Sequence, residues 1–185
     1  MQRSVFKIFI LLSVLFASSS FAKEALNALQ TVDSFYKKLL NYNYHETPNI
    51  PRPEMKFSKS FKAAIESNAE VCKNFSTGVC GWSADHDEYL NTQDCDPLLN
   101  YKNSGIKLRE TSKNTIEVKL NVYPSETKEK KYYDKVIIFV MIKEGDTWVA
   151  DDILYGEGNS SRESMAKESA EYIANPDPDS KGAKK

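Results

Sequence analysis

Several kinds of residue are scarce in this chain, and each scarcity removes a class of function. Neither sign of charge is in excess: 25 Lys and Arg stand against 26 Asp and Glu in 185 residues. Without a basic face there is nothing to hold a nucleic-acid backbone. Without a polybasic segment there is nothing to hold an anionic lipid surface. Histidine occurs twice and cysteine three times. No C-x-x-C pair occurs and only one His lies near the cysteines, so no zinc pattern is present. No Ser or Cys sits in a recognisable nucleophile motif, and no internal repeat is visible. After the first residues no apolar run approaches the roughly 20 residues that a membrane-spanning helix needs. The expectation is a chain with no cofactor, no nucleic-acid partner and no stable membrane insertion.

The first 22 residues read as a secretory signal peptide. Arg3 and Lys7 make a positive start, an almost wholly apolar run covers residues 8–17, and Ser20-Phe21-Ala22 supplies small side chains for cleavage between Ala22 and Lys23. No Cys follows that point, so lipid attachment is not indicated. The expected location is a bacterial periplasm, with full secretion as the alternative. What remains is about 160 residues, the size of one ordinary domain. In an oxidising compartment three cysteines predict one disulfide and one free thiol. Cys72 falls on the apolar face of a predicted helix, as a buried free Cys would. Pairing of Cys80 with Cys95 is therefore favoured, with Cys72 bonded to either one as the alternative.

Residues 25–41 carry Leu26, Leu29, Val32, Phe35, Tyr36, Leu39 and Leu40 at helical spacing. Residues 42–53 form a Pro-containing loop. Ser58 is placed to cap a second helix over 59–75. Four alternating or β-branched runs follow, at 105–111, 115–123, 132–143 and 148–155. Lys113-Asn114 and Gly145-Asp146 serve as hairpin turns. Helices first and a meander sheet afterwards predict an α+β domain over residues 23–158. A short C-terminal helix is predicted over 159–174, started by a Ser160/Glu163 capping box. The polar tail 175–185 is predicted to be disordered.

Chemistry concentrates in "GWSADHDEYLNTQDCDP" (81–97), which holds Asp85, Asp87, Asp94 and Asp96. An EF-hand reading fails, because Tyr89 and Leu90 stand where a ligand and the turn Gly are needed. An irregular metal site from the four Asp is a weak candidate. Asp85 and His86 could serve as an acid–base pair, but neighbours on an extended segment point apart. The preferred reading is a structural corner: Asp85, Asp87, Gln93 and Asp94 bond backbone N–H groups, while Tyr89 and Leu90 pack inward. Asp151 and Asp152 should face opposite sides of a strand, one towards solvent and one inward. If the chain is an enzyme, they are the catalytic candidates. Tyr42, Tyr44 and His45, in the Pro-containing loop, are candidate partner contacts.

Three stretches carry a resemblance. "VDSFYKKLL" (32–40), "ADHDEYLNTQD" (84–94) and "GDTWVADDILYGEG" (145–158) are similar to the first helix, the central acidic motif and the closing strand of a bacterial envelope family known as domain of unknown function 3828. The resemblance implies the cone-shaped fold of nuclear transport factor 2 and its relatives, a curved sheet wrapped around the first helix with a pocket at its open end. It implies an envelope location and no particular activity. The functional expectation is a non-catalytic binding protein that contacts another envelope protein, a class that includes inhibitor and immunity proteins. The alternative is a small enzyme or small-ligand binder with an Asp in the cone pocket. The two differ in a visible feature: the enzyme needs Asp151 or Asp152 facing a cavity, and the binding protein needs an exposed apolar groove.

Overall fold

The computed structural model describes residues 26–42, 50–73, 79–126 and 133–175. The expected signal peptide, Tyr44, His45 and the tail from 176 onward lie outside them. Helix α1 is Ala28–Leu40. Asn27 accepts the Gln30 N–H at 2.8 Å and the Gln30 side chain accepts the Asn27 N–H at 2.9 Å, a reciprocal cap that fixes its start. Helix α2 is Lys59–Cys72, with Ser58 as its cap at 3.0 Å from the Phe61 nitrogen. Five strands follow: β1 Lys107–Ser112, β2 Thr115–Asn121, β3 Asp134–Glu144, β4 Thr147–Tyr155 and the two-residue β5 Asn159–Ser160. Helix α3 is Ser161–Ala174, capped by the Ser160 hydroxyl.

The fold is α+β: among the described residues there are three helices and one antiparallel sheet with its strands in chain order. The sheet has five strands where four were expected, because Gly158 turns the chain back along β4 for two residues before α3 begins. One face is the core. Ile116 and Val118 of β2 lie opposite Phe139 and Ile137 of β3, which in turn face Ile153 and Tyr155 of β4. Helix α1 lies against β1, β2 and β3, while α2 and α3 pack on each other and on β4. Tyr36 and Tyr89 join α1 to the corner: the Tyr36 hydroxyl donates to the Tyr89 carbonyl at 2.7 Å. Burying each aromatic of this set is worth about 1.5–3 kcal/mol.

A β-bulge breaks the β3–β4 ladder. Val140 pairs with Asp152 and Met141 with Ala150, so Asp151 is an extra residue on β4. Beside the bulge, the segment before α2 adds a short parallel stretch to β4: Ser58 donates to the Ala150 carbonyl at 2.9 Å and Ala150 to the Lys56 carbonyl at 2.8 Å.

The disulfide corrects the favoured pairing. Cys72 is bonded to Cys80, with Cα atoms 5.5 Å apart, and Cys95 is free. Cys72 is the last residue of α2 and only half-buried, so it is not the sheltered core thiol its helical position suggested. The bridge spans a separation of eight residues. Asn68, fully buried one turn earlier, makes the next link. Its Nδ2 donates to Glu168 of α3 at 2.7 Å and its Oδ1 accepts the Trp82 N–H at 3.1 Å. Peptide mapping without reduction should find Cys72 linked to Cys80 and one titratable thiol at Cys95. Replacing both bridged cysteines by Ala should lower unfolding free energy by about 2–3 kcal/mol in urea titration. A Cys80–Cys95 peptide, or unchanged stability, would contradict this arrangement.

Candidate functional site

Asp151 and Asp152 do not face opposite sides of an undisturbed strand. The bulge resets the alternation, and both carboxylates end at helix starts. Asp151 accepts from the Ser58 hydroxyl at 2.5 Å, the Ser60 hydroxyl at 2.8 Å and Arg162 Nη2 at 2.7 Å. Its own carbonyl accepts from Arg162 Nε. Asp152 accepts from the Ser160 hydroxyl at 2.5 Å, from its neighbour Ile153 N–H at 2.8 Å and from the Arg162 N–H at 3.2 Å. Burial pushes the Asp151 carboxyl up, but the hydrogen bonds from Ser58 and Ser60 and the Arg162 charge outweigh it and hold it below the usual carboxylate range. A carboxylate whose Oδ1 takes three donors at the start of two helices acts as a structural anchor.

The corner is organised by Asp87, not Asp85. Asp87 Oδ1 accepts the N–H groups of Tyr89 at 2.8 Å and Leu90 at 3.0 Å, and Oδ2 takes Arg52. Arg52 also lies over the Tyr89 ring, and the Tyr89 hydroxyl accepts the Met55 N–H at 3.2 Å. The Tyr89 ring stands edge-on to Phe35 at 4.7 Å. Asp94 accepts its neighbour's N–H, from Cys95, at 2.8 Å, and Gln93 is exposed. Asp96 is buried and bridges to the loop after β2, accepting from Leu98 N–H and from both the N–H and hydroxyl of Ser125. The four Asp thus spend their oxygens on separate sets of partners. Among the described residues the one cluster with metal-like spacing is Cys72, Cys80 and Glu168, and its two thiols are joined to each other.

Asp85 does bond His86: Nδ1 and Oδ1 are 2.6 Å apart. The expectation that they point apart assumed extended backbone. Residues 84–86 are bent and Ser83 has φ 54°, so strand alternation does not apply. Burial, then the neighbouring carboxylates of Asp94, Asp87 and Asp96, push the Cys95 thiol up. Of the loop contacts, Tyr42 is tied back, its hydroxyl donating to the Ile50 carbonyl at 2.8 Å.

What the structure adds is an open groove of about 660 Å³ between α1, residues 53–56 and the β3–β4 turn. Phe35 and Met55 form its floor, each less than a tenth exposed, and Leu26, Pro53 and Trp148 form its walls. Lys38, Glu54, Lys56 and Asp146 ring it with both signs of charge. Neither Asp151 nor Asp152 lines it. Nothing local in the sequence announces the groove. Its walls come from three segments far apart in the chain, and α1 borders it with polar Thr31, Ser34 and Lys38 around Phe35. No protein-family model, no curated protein and no solved structure matches the chain.

The Asp151 linkage has a definite sign. Its folded pKa is depressed, so its stabilisation is present above pH about 4 and is lost as pH falls through the lower folded value. Asp151→Asn should cost about 1–2 kcal/mol at neutral pH. The gap to wild type should narrow in urea titrations taken progressively below pH about 4. A gap that stays constant with pH would show that the charge of Asp151 is not what matters.

Proposed function

We propose that this chain is a non-catalytic binding protein of the bacterial envelope that takes an apolar segment of another envelope protein into the groove beside α1. The observation that carries this reading is the groove itself, with an exposed Leu26 (47%) and a half-buried Trp148 over a floor of Phe35 and Met55. Exposed apolar surface of this kind is what partners bury. The rim of mixed charge suits a protein segment better than a lipid or nucleic acid. Against the alternative of an enzyme, Asp151 and Asp152 are both hydrogen-bonded to groups at helix starts and neither lines the groove.

Membership of the family called domain of unknown function 3828, and its cone fold, belong to the same proposal. The order of two helices followed by an antiparallel sheet supports it, as does the position of α1 against β1, β2 and β3. The envelope location rests on the cleavable leader read between Ala22 and Lys23, with secretion as the alternative. The Cys72–Cys80 bridge supports it, because such bonds persist in oxidising compartments. No helix among the described residues is long and apolar enough to cross a membrane.

The test is capture of partners from crosslinked envelopes with tagged protein, beside a Leu26→Ser, Trp148→Ala variant. One protein should be strongly enriched by wild type and reduced at least about tenfold by the variant, as loss of a central aromatic anchor requires. Equal capture by both, or a blank at full expression, would sink the groove as a protein-binding site.

A further inference from the structure

The edge of β4 is open where it borders the groove. Ala150 donates its N–H to the Lys56 carbonyl and accepts from Ser58, so its main chain faces away from β3. From Met141–Ala150 to Glu144–Thr147 the β3–β4 ladder runs without irregularity. Main-chain groups of a strand alternate from one side to the other, so Trp148, two residues before Ala150, turns its N–H and C=O the same way. The short parallel stretch does not reach them, because its single bridge joins Phe57 to Ala150. Among the described residues neither group of Trp148 has a main-chain partner on that side.

The facing bank does not close this edge. Pro53 has no N–H to give, and the Met55 N–H is taken by the Tyr89 hydroxyl at 3.2 Å. An unpaired strand edge is a template for another strand. Here it runs beside the apolar floor of Phe35 and Met55, so one extended segment can meet both. A helix satisfies its own main chain and would cover the two Trp148 groups without pairing them, which costs free energy. The rim adds charge. Lys38, Glu54, Lys56 and Asp146 are exposed, and among the described residues none of the four makes an ion pair. Asp146 stands at the β3–β4 turn and Lys38 on α1, so the two banks offer opposite signs to a segment lying between them.

Resting on the reading of the groove as a protein-binding site, we propose that its occupant is an extended segment of the partner protein that adds as a strand to the edge of β4 at Trp148. The segment gives one N–H to the Trp148 carbonyl and accepts the Trp148 N–H on a carbonyl of its own. Alternate side chains of the segment turn into the groove. An apolar one lies over Phe35 and Met55, a basic residue lies beside Asp146 and an acidic one beside Lys38.

The probe is a phage-displayed library of random peptides of about twelve residues, selected on the wild-type protein and counter-selected on the Leu26→Ser, Trp148→Ala variant. Peptides that separate the two should carry apolar residues at alternate positions. Saturating wild type with such a peptide should slow hydrogen exchange of the Trp148 main-chain amide at least about tenfold, as a new hydrogen bond requires. N-methyl groups scanned along the peptide main chain should weaken binding about tenfold at the position that donates to Trp148, the worth of one hydrogen bond. Apolar residues at three- and four-residue spacing, or a complex that moves the Trp148 indole signal and leaves its main-chain amide exchanging as before, would overturn strand addition and leave the groove standing as a binding site. Failure to select any peptide that separates wild type from the folded variant would overturn both.

Discussion

The carboxylate of Asp151, displaced from the sheet register by one residue, ties three segments of the chain at one point. It meets the cap of α2 through Ser58 and Ser60, the first turn of α3 through Arg162, and it belongs to β4. Arg162 is held twice, by the side chain and by the carbonyl of the same residue. Its guanidinium also lies over the Phe61 ring, which is wholly buried. A charge-assisted bond of this kind exceeds a neutral one in strength, and here three donors converge on the Oδ1 of one carboxylate. Asp152 repeats the arrangement next door, facing the Ser160 hydroxyl and the Arg162 N–H.

The rest of the α2–α3 side follows from that joint. With α2 and α3 fixed side by side, Asn68 reaches Glu168 and Trp82, and Cys72 reaches Cys80, so the chain leaving α2 is turned back against α3. The corner then delivers Tyr89 to the core, where it supports Phe35 and Met55. Those two residues are the floor of the groove. The groove is thus a product of how separate segments converge on α1. Its apolar character comes from side chains whose neighbours, not whose own segment, decide their exposure.

Much of the scaffold was legible beforehand. The helical spacing of Val32, Phe35, Tyr36 and Leu39 located α1, Ser58 located the start of α2, and the alternation of Ile116, Val118 and Leu120 located β2 and its buried face. These are local patterns, and local physics reads them. The failures all required knowledge of distance or of irregular backbone. Cysteine spacing does not say which sulfurs approach, so the pairing of Cys72 with Cys80 had to be seen. A bulge is an extra residue with no composition of its own, so ideal alternation could not place Asp151 and Asp152. The bend at Ser83 brought His86 and Asp85 together where an extended chain would have parted them. Of the four corner residues, Asp87 takes the N–H groups of Tyr89 and Leu90, while Asp85 meets His86.

The docking of α2 and α3 on β4 depends on Asp151 and Arg162 acting as one joint. A double-mutant cycle with Asp151→Ala, Arg162→Ala and the pair, read by urea unfolding at neutral pH, measures this directly. A coupling energy of about 1 kcal/mol or more is predicted, because each single variant already breaks the same contact. Additive losses would mean that the two residues stabilise the protein separately, and that some other contact docks the helices on β4.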